Sequence, residues 1–112
     1  MTKVGEGKEV PEEPGAQQFH RDLDRSSSKF LTALQAYEVA KDDTARTQLK
    51  GVMDAQLEVI RAAINGLKRA GVYKQGVKVD NDYQNYMKGS TTDSYAALEH
   101  DMLTLREYNQ LP

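Results

Sequence analysis

Apolar residues recur at helical spacing in three stretches of this chain. In the first, over 16–41, Phe19, Leu23, Phe30, Leu34 and Tyr37 follow one another by four, seven, four and three residues, with Leu31 and Ala33 on the flanks. That spacing places them on one face of a helix. The stripe lapses at Ser26-Ser27-Ser28, whose hydroxyls compete for backbone groups. One helix is expected to run through the triplet over 16–41, with a kink there, or an N-cap that restarts the helix at Lys29, as the alternative. The second stretch, 44–70, is the most regular. Leu49, Met53, Gln56, Ile60, Ala63, Leu67 and Ala70 alternate by four and three, and Val52, Val59 and Ile64 widen the stripe. Gly71 supplies a stop, with Lys68 and Arg69 in the last turn, where the helix dipole favours cations. The third helix is expected over 92–109, with Tyr95, Leu98, Met102 and Leu105 as its buried face. Ser90, Thr91 or Thr92 is its candidate cap.

The connections follow from the residues between the stripes. Lys41-Asp42-Asp43-Thr44 reads as a tight reversal, because Asp and Thr favour caps over helix interiors and the apolar stripe fails there. An antiparallel hairpin is preferred to one continuous rod. Residues 71–91 are read as an irregular linker, within which Asp80 caps at most a short helix through Met87, ended by Gly89. The first fifteen residues hold three glycines, two prolines and four glutamates, too little apolar surface to offset the entropy of ordering. They are read as a disordered tail. The expected architecture is all-α: a single helical domain over 16–112, an antiparallel hairpin with a C-terminal third helix packed across it.

Three stripes make a thin core. The apolar ridge of the second helix is therefore expected to exceed what its own fold covers, and to meet another protein or a second copy of the chain. Gln56 within that ridge suits a seam, where a polar residue sets register at some cost in stability. The expected contact residues are Leu49, Met53, Gln56, Ile60, Ile64 and Leu67. Tyr83, Tyr86 and Met87 come second, because tyrosine and methionine offer adaptable apolar area.

Composition narrows the functional classes. The 112 residues contain no Cys, which removes disulfides, thiol nucleophiles and thiolate metal sites together. No apolar run approaches the ~18–20 residues of a membrane span. MTKVGEGKEVPEEPG has no apolar segment, so no cleaved secretory signal is expected and a cytoplasmic location is. The net charge of −2 is uneven: −2 over 1–18, +1 over each of 19–41, 42–71 and 72–89, and −3 over 90–112. With a pI of about 5.7 and no basic patch, nucleic-acid binding is not expected.

The chemical motifs fail on spacing. His20-Arg21-Asp22-Leu23 matches the opening of a kinase catalytic loop, but Ser27 stands where the metal-binding Asn belongs. Gly5-Glu6-Gly7-Lys8 lacks the spacing and the Ser/Thr of a phosphate loop. Asp80-Asn81-Asp82 opens like a calcium loop, yet its sixth and twelfth positions are Asn85 and Thr91. His20 and His100 are the only imidazoles, and neither stands in ligand spacing on its helix. No catalytic residue, metal ligand or cofactor site is assigned, and an enzyme is not expected.

In size and plan, 16–70 resembles two groups of bacterial helical-hairpin proteins. One comprises the small chaperones, needle and adaptor proteins of type III secretion. The other is the WXG100 group of secreted hairpins, whose tyrosine-to-acid secretion signal is similar to Tyr95-Ala96-Ala97-Leu98-Glu99, although the Trp-x-Gly turn of that group is absent here. The first resemblance implies a non-enzymatic adaptor or chaperone of a secretion system. The second implies a secreted hairpin, and a self-assembling structural subunit is the further alternative.

Overall fold

The computed structural model describes residues 15–110, and these form helices α1 (Ala16–Val39), α2 (Asp43–Leu67), α3 (Ala70–Lys88) and α4 (Thr92–Gln110). Apart from Gly15, the expected tail over 1–15 lies outside the described residues. The all-α expectation holds. The count of helices does not: the stretch read as an irregular linker over 71–91 is the helix α3.

Each connection has a local cause. α1 and α2 are joined through Ala40, Lys41 and Asp42, and the Asp42 carboxylate accepts from the Ala45 backbone N–H at 3.0 Å, which caps α2. α2 stops at Leu67, three residues before the expected end. Lys68, not Gly71, makes the stop: it adopts the left-handed conformation, with φ 56° and ψ 39°. Gly71 instead sits in the first turn of α3. At the start of α4, Thr91 and Ser94 cap each other. The Thr91 hydroxyl accepts from the Ser94 N–H at 3.0 Å, and the Ser94 hydroxyl accepts from the Thr91 N–H at 2.9 Å.

α1 runs unbroken through Ser26–Ser28. Ser26 and Ser27 are buried where larger side chains would keep the helices apart, and the Ser27 hydroxyl returns to the Asp24 carbonyl at 3.0 Å. α3 forms despite two glycines and several Asn and Asp residues, all weak helix formers. Its interior stripe is Val72, Gln75, Val79, Tyr83 and Tyr86, spaced by three, four, four and three. Burial of that face outweighs the local propensity.

The four helices run alternately up and down. His20 meets Asn109 while Gln35 meets Glu99, so α1 and α4 are antiparallel. Asp54 meets Tyr83 while Arg61 meets Asp80, so α2 and α3 are antiparallel as well. α1 packs along α2 and α3 along α4, while α1 meets α4 and α2 meets α3 less closely. Phe30 and Tyr37 of α1 cross the bundle to meet Tyr83 and Tyr86 of α3 edge to face, at centroid distances of 5.6 and 5.9 Å. The core between them holds Leu23, Leu34, Met53, Leu57, Leu98 and Met102. The α2 ridge is therefore sealed: Met53 is 0% exposed, Ile60 2% and Leu67 8%. The expectation of an uncovered ridge is overturned, because α3 supplies the wall that a three-helix reading lacks.

Candidate functional site

The nine residues expected to form a contact surface separate into three groups. Met53, Leu67, Tyr83 and Tyr86 belong to the interior of a single protomer. The Tyr83 hydroxyl donates to the Asp54 carboxylate at 2.6 Å and the Tyr86 hydroxyl donates to Glu38. Burial, then the adjacent carboxylate, pushes both phenols well above their usual range. Such tyrosines tie helices together. Leu49 and Met87 are partly buried against the core, and Gln56 is half-buried on α2. Ile60 and Ile64, though buried, form part of the floor of a cleft between α2 and α3.

That cleft is one of the apolar hollows among the described residues. Its floor is Leu57, Ile60, Ile64 and Val79, and its volume is about 200 Å³. α2 and α3 come close within it, at Ile64 and Gly76. A Cβ placed on Gly76 would lie 2.5 Å from Ile64 Cδ1, so a glycine permits that approach. On the rim, Tyr73 is 55% and Val77 43% exposed, one helical turn apart on α3. Opposite them, Arg61 on α2 makes a forked contact with Asp80, its Nη2 and Nε donating at 2.9 and 3.2 Å, while Nη1 donates to Glu58 at 3.0 Å. The aspartate and then Glu58 hold the guanidinium pKa above its ordinary value. The site thus offers an apolar floor, an aromatic wall and a fixed cation.

A second, shallower trough of about 350 Å³ runs between α1 and α2, lined by Thr32, Ala33, Ala36, Leu49 and Val52, with Lys29 at its edge. Small-molecule sites enclose most of a ligand in about 300–1,000 Å³. The cleft is smaller than that, and the trough is open along its length.

The imidazoles stand apart. His20 Nδ1 lies 2.7 Å from Asn109 Oδ1, whereas His100 is exposed beside Asp101, nine residues and about 13 Å earlier along α4. Among the described residues, no three His, Cys, Asp or Glu side chains are grouped to hold a metal ion. Nor is any of their helices long and apolar enough to cross a membrane.

One titratable cluster lies in the seam between α3 and α4. The Asp82 carboxyl faces that of Asp101, and its Oδ2 is buried without a hydrogen-bond partner among fixed donors. Gln75, itself buried, donates to the Asp101 carbonyl at 2.9 Å, and His100 Nδ1 lies 3.3 Å from Asp101 Oδ1. Burial, then the neighbouring carboxylate, pushes Asp82 up to about 7. Asp101 is held below its usual value, chiefly by the hydrogen bond from Asp82 and then by His100 and Gln75.

Sequence patterning missed Tyr73, Val77, Leu57 and the Arg61–Asp80 pair. Tyr73 and Val77 at i, i+4 were a usable signal, hidden because their segment was not read as helix. Comparison with known protein families, curated proteins and solved structures gave no match.

Proposed function

We propose that the protein is a non-enzymatic, cytoplasmic protein-binding module, an adaptor or chaperone-like bundle that grips an amphipathic segment of a partner at the α2–α3 cleft. The observation that supports this reading is the exposed Tyr73 and Val77 beside an apolar floor reached between two helices. Apolar anchors at helical spacing dock into grooves of this kind. A half-exposed tyrosine next to a pocket has the composition of an interface centre. Arg61, held by Asp80 and Glu58, gives the partner a positioned cation at the rim. The volume suits one or two side chains rather than a whole substrate.

The test uses a photo-crosslinking residue at Val77, with a control at Glu107 on α4. Adducts from position 77 in extracts of the source cells, abolished by Tyr73→Glu in a protein with unchanged helicity, support the proposal. Adducts of equal yield from both positions, or none from 77, overturn it. A product of twice the chain mass, with concentration-dependent sedimentation, replaces the adaptor with a self-assembling subunit.

A further inference from the structure

We propose that Asp82 and Asp101 form a proton-operated latch between α3 and α4, in which one shared proton holds the seam closed and its loss loosens the two helices from each other. The inference is independent of what occupies the α2–α3 cleft, since the pair lies on the opposite flank of α3.

Geometry carries it. Two carboxyl groups from different helices face each other, and both are acceptors when ionised. Asp82 Oδ2 is buried and receives nothing from any fixed donor. A carboxylate oxygen in that position is left unpaired out of water, whereas a protonated one donates to Asp101. The surrounding groups decide which member carries the proton. On α4, His100 approaches Asp101, and Gln75 reaches the same residue from α3. These donors favour the charged form of Asp101. Lys78, one turn before Asp82 on α3, is the only cation acting on Asp82 among the described residues, and burial and Asp101 outweigh it. The remaining charged neighbours are engaged elsewhere. Arg61 and Asp54 of α2 meet α3 on its other flank, at Asp80 and Tyr83. Glu99 and Arg106 of α4 reach Gln35 and Asp24 of α1. Among the described residues Lys78 therefore faces Asp82 directly, and His100 acts on the pair only through Asp101.

The direction follows from linkage. Asp82 binds its proton more tightly folded than unfolded, where an aspartate titrates near 4. Stability from this group is complete below about pH 4 and is lost as pH rises to about 7. Above that the pair repels across the seam. One pKa unit is a factor of ten in an equilibrium. After allowance for the partial exposure of Asp82, the seam is expected to open about tenfold more often at pH 8 than at pH 5.5.

Carbon-detected NMR of the side-chain carboxyls in the unmodified protein tests the pair directly. The expected result is an Asp82 carboxyl that titrates near neutrality and an Asp101 carboxyl that titrates below ordinary aspartates. An Asp82 carboxyl titrating with ordinary aspartates overturns the proposal. In parallel, amide exchange corrected for intrinsic rate is compared at pH 5.5 and 8. Faster opening at the higher pH, confined to α3 and α4 and abolished by Asp82→Asn, supports the latch. Equal opening at both values, or an Asp82→Asn protein that keeps the wild-type pH dependence, refutes it.

Discussion

Gly51 and Gly66 stand in the same helix, and replacing each by alanine should change stability in opposite directions. Alanine gains about 1 kcal/mol over glycine inside a helix, because glycine loses more backbone freedom on folding. At Gly51 nothing lies within 4 Å of the added Cβ, so the whole gain is expected. At Gly66 the new Cβ would lie 2.4 Å from two atoms of the Phe19 ring and 2.6 Å from a third. A flat ring cannot yield at three atoms by a small torsion, so Phe19 must leave its place against the end of the core. Displacing a half-buried phenylalanine forfeits about 1–2 kcal/mol of apolar burial. Gly66→Ala should therefore be neutral or destabilising by about 1 kcal/mol, against about 1 kcal/mol of stabilisation for Gly51→Ala. In a domain of this size that difference separates the two melting temperatures by about 4–16 °C. Thermal unfolding followed by circular dichroism, with urea titration for ΔG, measures both. The decisive arm is the double variant. In a Phe19→Ala background the obstruction is gone, so Gly66→Ala should now stabilise, a coupling of 1–2 kcal/mol in order of magnitude. If both alanines stabilise equally in the native background, Phe19 does not cover Gly66. The closure of the α1–α2 hairpin at that end would then be misplaced.

Three other outcomes follow from single residues. Lys68→Gly should raise stability by about 1 kcal/mol, because a non-glycine residue in the left-handed conformation is strained there; urea unfolding checks it, and a loss would contradict the Lys68 backbone. Tyr83→Phe should cost on the order of 1–2 kcal/mol, since it removes a hydrogen bond to a charged group while keeping the ring against Phe30; an Asp54→Asn background should absorb most of that cost. Asp54 itself is held below the usual carboxylate range, since the Tyr83 hydroxyl and Lys50 together outweigh the upward push of burial. Its contribution is therefore present above about pH 4 and lost as pH falls through the lowered value. Acid unfolding of Asp54→Asn should accordingly begin from a less stable protein and show a shallower decline than the wild type.

The legible parts of the fold are those where one face is apolar throughout. α1 and α2 could be placed from Leu23, Phe30, Leu34, Met53 and Ile60 because hydrocarbon side chains fill their interior faces, with Ser26 and Ser27 of α1 the exceptions. α4 showed in Leu98, Met102 and Leu105 for the same reason, and its cap at Thr91 stood among three candidates. α3 was hidden by chemistry rather than by a weak period. Its stripe contains a buried glutamine and two tyrosines, each satisfied by a partner on another helix: Gln75 by the Asp101 carbonyl, Tyr83 by Asp54 and Tyr86 by Glu38. Polar side chains look like surface until their partners are placed, and those partners lie 26, 29 and 48 residues away. Gly76, a weak helix former, admits Ile64 of α2 at that position.

The fourth helix changes where recognition can occur. Three stripes leave the α2 ridge facing outward, which makes Met53 and Leu67 natural contact residues. With α3 in place, those side chains are inaccessible unless two helices part, and the apolar area that remains is distributed differently. Val59 stands singly on the outer side of α2 at 40% exposure, which is ordinary for a protein surface, and Val52 lines the shallow trough against α1. Tyr73 and Val77 are also exposed, but they adjoin a floor of four buried aliphatic side chains. A partner's side chain entering there adds contacts to atoms already held rigid by the core, so little further ordering is needed. At Val59 it would meet an isolated methyl pair backed by its own helix, and at Val52 a trough open along its length. α3 therefore covers the ridge while leaving a gap beside Tyr73 and Val77, and the proposed adaptor role rests on that gap.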